Sequence, residues 1–424
     1  MRLDEVDVMS FFTDTIIKLP YRISDKYFFG IKYQNDTLER DYDYLMPFKA
    51  EVFNLFDGNI PDVSIHLNRN DITVSLRYNG KEYKKFYDRG DNYAASHGKI
   101  VDLSVDSLNF DLGLFPNILS NNDDENNYFK VIVVAADENP EPPYFNIDEI
   151  NLTFYRREGL VMKLVSEVTS DSNAQFGTLP SVVRSRQSIG TGEKSGTKFY
   201  EVFNTAFDVI EVDVLGQKGL IVPQWERSNP TNQTFTYAID LGTSNTFMSR
   251  CKNNADDTPD LSKNPELFKM ERPMVSYLHE VKTDSQFSIN QQIENSIFEK
   301  ARKNIKTEFL PAMIDGTDYK FPIRTAVCSI KSKIQKPKLF DNHNIAFFYE
   351  KLMPNDDQEI HTDIKWEKNE EELRLFVREL LLIIKCDILQ RNGDLNRTRL
   401  VWFSPLSFSG NELSLIHISE PTRH

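Results

Sequence analysis

Apolar and polar positions alternate with a period of two through much of the first half of the chain. Ile72, Val74, Leu76 and Tyr78 interleave with Thr73, Ser75 and Arg77, the pattern of a half-buried strand. Asn79-Gly80, the favoured pair for a two-residue hairpin turn, follows, and residues 81–87 return. Further strands are expected at 128–136, 149–156, 160–165, 200–203, 208–215 and 220–225, separated by polar or Pro-rich connectors at 121–127 and 138–143. Many short strands with turns between them predict a β-rich, sandwich-like module over residues 1–229.

The period lengthens downstream. Leu373, Phe376, Val377, Leu380, Leu381, Ile384 and Ile388 fall on one face of a helix. Asn369 stands where a cap would, with Glu372 in the reciprocal position, and Asn392-Gly393 stops the run. Leu400 to Phe403, closed by Pro405, reads as a buried strand. A weaker helix is expected over 288–303 and a strand over 321–330. Ser228-Asn229-Pro230-Thr231-Asn232-Gln233 is rich in turn residues. It marks the boundary between residues 1–229 and a second unit at 230–412.

Bulk properties narrow the class. A chain of 424 residues exceeds one typical domain. Its 30 Phe and 17 Tyr lean toward sheet. A net charge of −14 argues against nucleic acid or an anionic membrane as partner. No apolar run is long enough to span a bilayer, and the mixed-charge start is unlike a signal segment. Cys251, Cys328 and Cys386 are far apart and odd in number, which suits reduced thiols and a cytoplasmic location.

Candidate chemistry concentrates in Tyr237-Ala238-Ile239-Asp240-Leu241-Gly242-Thr243-Ser244-Asn245-Thr246. An apolar strand delivers an acid, then a glycine, then small hydroxyl and amide residues, before a second strand at 246–252. Gly242 would let the backbone approach an anion and tolerate positive φ. The amides of Thr243, Ser244 and Asn245 could converge on phosphate oxygens, and Asp240 stands where a hydrated Mg²⁺ would sit. Asp111-Leu112-Gly113 repeats Asp240-Leu241-Gly242 without the hydroxyl cluster, and reads as a plain turn.

This decapeptide resembles the first phosphate motif of the actin, Hsp70 and sugar-kinase superfamily, most closely its Hsp70 branch. The helix near 373–388 leading to the Pro-closed strand, and loosely the segment 321–330, are similar to that family's first lobe. The resemblance implies an α+β chain: the β-rich module followed by a partial α/β, actin/Hsp70-like (ribonuclease H-like) nucleotide-binding lobe. It implies ATP and Mg²⁺ as cofactors, with Gly242, Thr243, Ser244 and Asn245 at the phosphates and Asp240 at the metal. Asn245 stands where the family varies. The parent would be a chaperone-like ATPase whose β-rich module holds a protein partner. A non-hydrolysing scaffold with a degenerate nucleotide fold is the alternative, and an actin-like filament protein a third.

The family's second phosphate loop and adenosine loop have no counterpart here, and Leu413 to His424 resembles translated adaptor read-through. Residues 413–424 are therefore expected to be non-native, and the chain to bind ATP poorly and to be inactive. Other motifs fail on spacing. In the stretch 184–198, Glu193 separates Gly192 from Lys194, so a Walker loop is excluded and a flexible loop expected. His66, His97, His279, His343 and His361 are isolated from one another and from cysteine, so zinc spacing is absent. No nucleophile elbow marks a catalytic serine.

Overall fold

The computed structural model describes residues 7–34, 40–69, 71–89, 96–103, 108–137, 147–167, 177–178, 182–187, 194–260, 262, 265–269, 272, 274–279, 321–330, 344–345, 358–361, 364 and 370–403. The chain forms two compact units. The first comprises residues 1–115, 122–225 and 276–302, and the second comprises 116–121, 226–275 and 303–424.

Among the described residues, three sheets build the first unit. One has six strands in the order Thr15–Lys18, Gly98–Asp102, Lys81–Asp88, Asp71–Tyr78, Asp62–Leu67, Lys32–Tyr33. Lys81–Asp88, Asp71–Tyr78 and Asp62–Leu67 run antiparallel, Gly98–Asp102 is parallel to both its neighbours, and Lys32–Tyr33 is parallel to Asp62–Leu67. The Asn79-Gly80 turn has φ of 48° and 73°, the left-handed geometry that this pair favours. Ile72 to Leu76 are buried without a break, so this strand is covered on both faces rather than one. A four-stranded antiparallel sheet (Val161–Leu164, Ile150–Glu158, Val209–Val214, Gln217–Ile221) shares a core with it. Ile65, Val74 and Leu76 pack there in one cluster with Val209 and Leu220.

The third sheet runs Gly177–Thr178, Lys194–Phe203, Tyr128–Asp137, Leu108–Phe115, Ser276–Tyr277. Phe207 joins it to the four-stranded sheet, with ring centroids 4.9 Å from Phe154, 5.8 Å from Phe129 and 5.3 Å from Trp225. Two expectations are corrected here. Asp111-Leu112-Gly113 lies inside the strand Leu108–Phe115 rather than in a turn. Asp111 is buried and accepts hydrogen bonds from the Leu112 and His279 amides at 2.8 and 3.1 Å. Likewise, Val182–Gln187 and Lys194–Phe203 are paired strands, so the loop expected over 184–198 is strand at 184–187 and 194–198, while its residues 188–193 lie outside the described residues. Ladder hydrogen bonds override the turn preference of Gly and Ser at these positions.

In the second unit, β1 (Phe235–Leu241) and β2 (Asn245–Lys252) form an antiparallel hairpin. Strands β3 (Glu266–Leu267) and β4 (Ile323–Arg324) both pair with β2. Helix α1 (Glu370–Gln390) leads to β5 (Arg399–Phe403), which lies parallel to β1. Asn392 closes α1 with φ 54°, and the Gly393 amide donates to the Ile388 carbonyl at 2.9 Å. A side chain at Gly393 would press on Phe235 and Ile388, so only glycine allows this close pass.

The expected α+β class, with an α/β actin/Hsp70-like lobe, is overturned. Such a lobe needs substantial helix over its sheet, yet the described residues are mostly strand in several sheets. One α-helix, α1, is seen among those residues of the second unit. β5 is also not the buried strand expected. It alternates between exposed and half-buried positions, with Val401 and Phe403 44% and 59% exposed. The helix expected at 288–303, the Asn369 cap and the segment 413–424 lie outside the described residues.

Candidate functional site

The two faces of the β1–β2 sheet differ. Phe235, Tyr237, Ile239 and Leu241 are buried on one face, where a charged network ties the sheet to α1. The Asp387 carboxylate, 3% exposed, accepts from Tyr237 Oη at 2.6 Å and from Arg250 Nη1 at 2.8 and 3.1 Å. Arg391 Nε adds a bond at 3.1 Å, and Arg250 Nη2 reaches Glu266 at 3.0 Å. Burial, followed by the neighbouring Asp387 charge, pushes the Tyr237 hydroxyl well above its usual range, so it stays a neutral donor. This network positions the hairpin from behind.

The loop Gly242–Ser244 joins β1 to β2. All five expected site residues lie on it or beside it. Asp240 is exposed near the end of β1, Gly242 and Thr243 are half-buried, and Ser244 and Asn245 are exposed. Gly242 is needed for a reason other than the one expected. Among the described residues the positive-φ glycines are Gly58, Gly80, Gly159 and Gly216, and Gly242 is not one of them. Instead, a Cβ at position 242 would overlap the Asn245 carbonyl oxygen. The closeness of the loop to itself excludes every other residue.

Thr325, just beyond β4 and 1% exposed, holds the loop. Its amide donates to the Ser244 carbonyl at 3.0 Å and its hydroxyl donates to the Gly242 carbonyl at 2.7 Å. The same hydroxyl lies 2.8 Å from Thr246 Oγ1. In a trans peptide the N–H points opposite to the C=O. Anchoring the carbonyls of 242 and 244 on Thr325 therefore turns the amides of Thr243 and Asn245 away from it, toward the other side of the loop. Backbone amides grouped in a tight loop are one chemistry that can receive an anion. Sequence reasoning missed Thr325, since only tertiary pairing places β4 beside the loop.

On its open face, Asp240 sits opposite Phe247 of β2 and Phe403 of β5 in register. Among the described residues, no group of three or more His, Cys, Asp or Glu side chains could hold a metal. A lone exposed carboxylate does not make a resident metal site. It does fit Mg²⁺ that arrives with a polyphosphate and is held largely by phosphate and water. Comparisons with family models, with curated proteins and with solved structures find no match for this chain.

Proposed function

We propose that the second unit binds the phosphate chain of a nucleoside triphosphate, ATP in the simplest case, at the Gly242 loop, and that the β-rich first unit engages a protein partner. The supporting observation is the grip of Thr325 on the Gly242 and Ser244 carbonyls, which presets the loop amides before any ligand arrives. Thr243, Ser244 and Asn245 would donate to phosphate oxygens, and Asp240 would hold Mg²⁺ through water. The ion, when bound, offsets phosphate charge; the chain itself supplies orientation.

Energetics make this contact weak. Three charge-assisted hydrogen bonds contribute about 1.5–3 kcal/mol each, and association costs at least about 4 kcal/mol. At the upper end of that range the balance is about 5 kcal/mol, a dissociation constant no tighter than about 0.2 mM, and binding is weaker below it. Titrating triphosphate with and without Mg²⁺ tests the assignment. Mg²⁺ should strengthen binding to the wild type and leave Asp240→Asn unaffected. An equal Mg²⁺ effect in both proteins removes Asp240 from the site.

A second reading, from another class, is a non-hydrolysing assembly component. It is favoured by the exposed side chains of Phe247, Leu267, Val401 and Phe403 on the β1–β2 sheet, a patch of the kind that marks association surfaces. Sedimentation over a range of protein concentrations separates the two, since only an assembly protein gains mass as concentration rises. Cys251 and Cys386 are free and buried, which accords with a reducing compartment, and we place the protein in the cytoplasm. Among the described residues, no helix is long and apolar enough to cross a membrane.

A further inference from the structure

Asparagine followed by glycine occurs twice in the chain, at Asn79-Gly80 and Asn392-Gly393. The dipeptide is chemically labile. Glycine has no side chain to shield its amide nitrogen, which can reach the γ-carbon of the preceding asparagine, one of the thermolabile residues. The two sites also share a backbone shape, with φ of 48° at Asn79 and 54° at Asn392. Their surroundings differ.

Asn392 is locked. Its Oδ1 accepts from the Asn229 amide at 2.9 Å, and its carbonyl accepts from the Thr231 amide at 2.8 Å and from Thr231 Oγ1 at 3.0 Å. The Gly393 nitrogen donates to the Ile388 carbonyl at 2.9 Å, and Gly393 is buried against Phe235 and Ile388. Attack from that nitrogen must first break the bonds to the Gly393 N–H and to the Asn392 side chain.

Asn79 is free. With Gly80 it is exposed at the tip of the hairpin that joins Asp71–Tyr78 to Lys81–Asp88. Among the described residues, no hydrogen bond engages the Asn79 side chain or the Gly80 N–H. A Cβ built on Gly80 would meet nothing within 4 Å. The last ladder pair, Tyr78–Lys81, restrains the tip, and exposed ends of this kind open at almost no cost.

We infer that Asn79 is a site of spontaneous modification, at which the chain itself supplies the nucleophile. The Gly80 nitrogen gives up its proton to base and bonds to Asn79 Cγ. The Cγ–Nδ2 bond breaks, and the side-chain nitrogen takes up a proton and leaves as ammonia. Water then opens the resulting succinimide at either carbonyl, its hydroxyl going to carbon and its proton to nitrogen, which gives aspartate or isoaspartate. Nothing is oxidised or reduced. Either product places a carboxylate at the tip. Isoaspartate also adds a carbon to the main chain, which a two-residue turn cannot absorb with its geometry intact. The change stays local, because Ile72 to Leu76 are anchored in the core.

The test is to incubate the native full chain at pH 8.5, with a parallel sample in guanidinium, and to map both peptides by mass spectrometry. Electron-transfer fragmentation tells isoaspartate from aspartate. In the native sample Asn79 should convert at least about tenfold faster than Asn392, whose reaction waits on local opening, with isoaspartate among its products. In denaturant the two sites should convert at similar rates, since the dipeptide is the same. Native conversion at Asn79 no faster than at Asn392, or a gap that persists in denaturant, overturns the inference.

Discussion

Replacing Thr325 with valine keeps its shape and removes one hydroxyl, and the consequence can be worked from the contacts. The hydroxyl serves the Gly242 carbonyl at 2.7 Å and Thr246 Oγ1 at 2.8 Å, and Thr246 is fully buried. A buried hydroxyl left without its partner costs about 1–3 kcal/mol, and loss of the bond to the half-buried Gly242 carbonyl adds about 0.5–1.5 kcal/mol. The sum, roughly 2–4 kcal/mol, corresponds to a fall in Tm of roughly 4–16 °C for a unit of this size. The Thr325 amide still holds the Ser244 carbonyl, so the loop loosens at Gly242 and not throughout. Scanning calorimetry of Thr325→Val and Thr325→Ser should show the drop in the first and near-recovery in the second. Triphosphate binding should weaken in parallel. A valine variant that melts with the wild type and binds triphosphate equally well refutes the role assigned to this side chain.

Two other perturbations test the support behind the site. Asp387→Asn removes the charge that balances Arg250, itself 6% exposed, and breaking such a buried pair costs about 3–5 kcal/mol. A urea midpoint within error of the wild type would contradict that network. Burial pushes the Cys386 thiol up to about 12, so the native thiol should resist iodoacetamide at pH 8 and react only in urea, as read by mass spectrometry. The sign for stability follows from linkage. The folded value lies above that of an ordinary thiol, so this group's contribution is fully present below the ordinary thiol range and is lost as pH rises toward about 12. Cys386→Ala should flatten that alkaline loss.

Much of the local structure was legible because its signals are local. The alternation at 72–78, the Asn79-Gly80 turn and the apolar face of α1 each follow from a short window, and the hairpin around Gly242 follows from its own ten residues. The errors came from long-range pairing. Residues 184–187 and 194–198 look like a Gly/Ser loop until they pair with each other and the strand Lys194–Phe203 pairs along Tyr128–Asp137. Asp111 looks like a turn residue until the strand Tyr128–Asp137 claims its backbone.

The architecture was misjudged for a related reason. A ten-residue motif says what surrounds a phosphate, but not how much helix covers the sheet behind it. Thr325 carries no sequence signal of its own, because its role exists only once β4 lies beside β2. β5 is equally instructive: Val401 and Phe403 suggested burial by composition, yet a strand at the sheet edge can present such side chains to solvent.

The most direct test is a TROSY titration of the isotopically labelled chain with MgATP, following the backbone amides of Thr243, Ser244 and Asn245. Phosphate binding at the loop predicts saturable shifts at the Thr243 and Asn245 resonances with a midpoint no tighter than about 0.2 mM, reproduced by inorganic triphosphate and absent with adenosine. Unmoved loop amides at 20 mM MgATP, or equal shifts with adenosine alone, would contradict it.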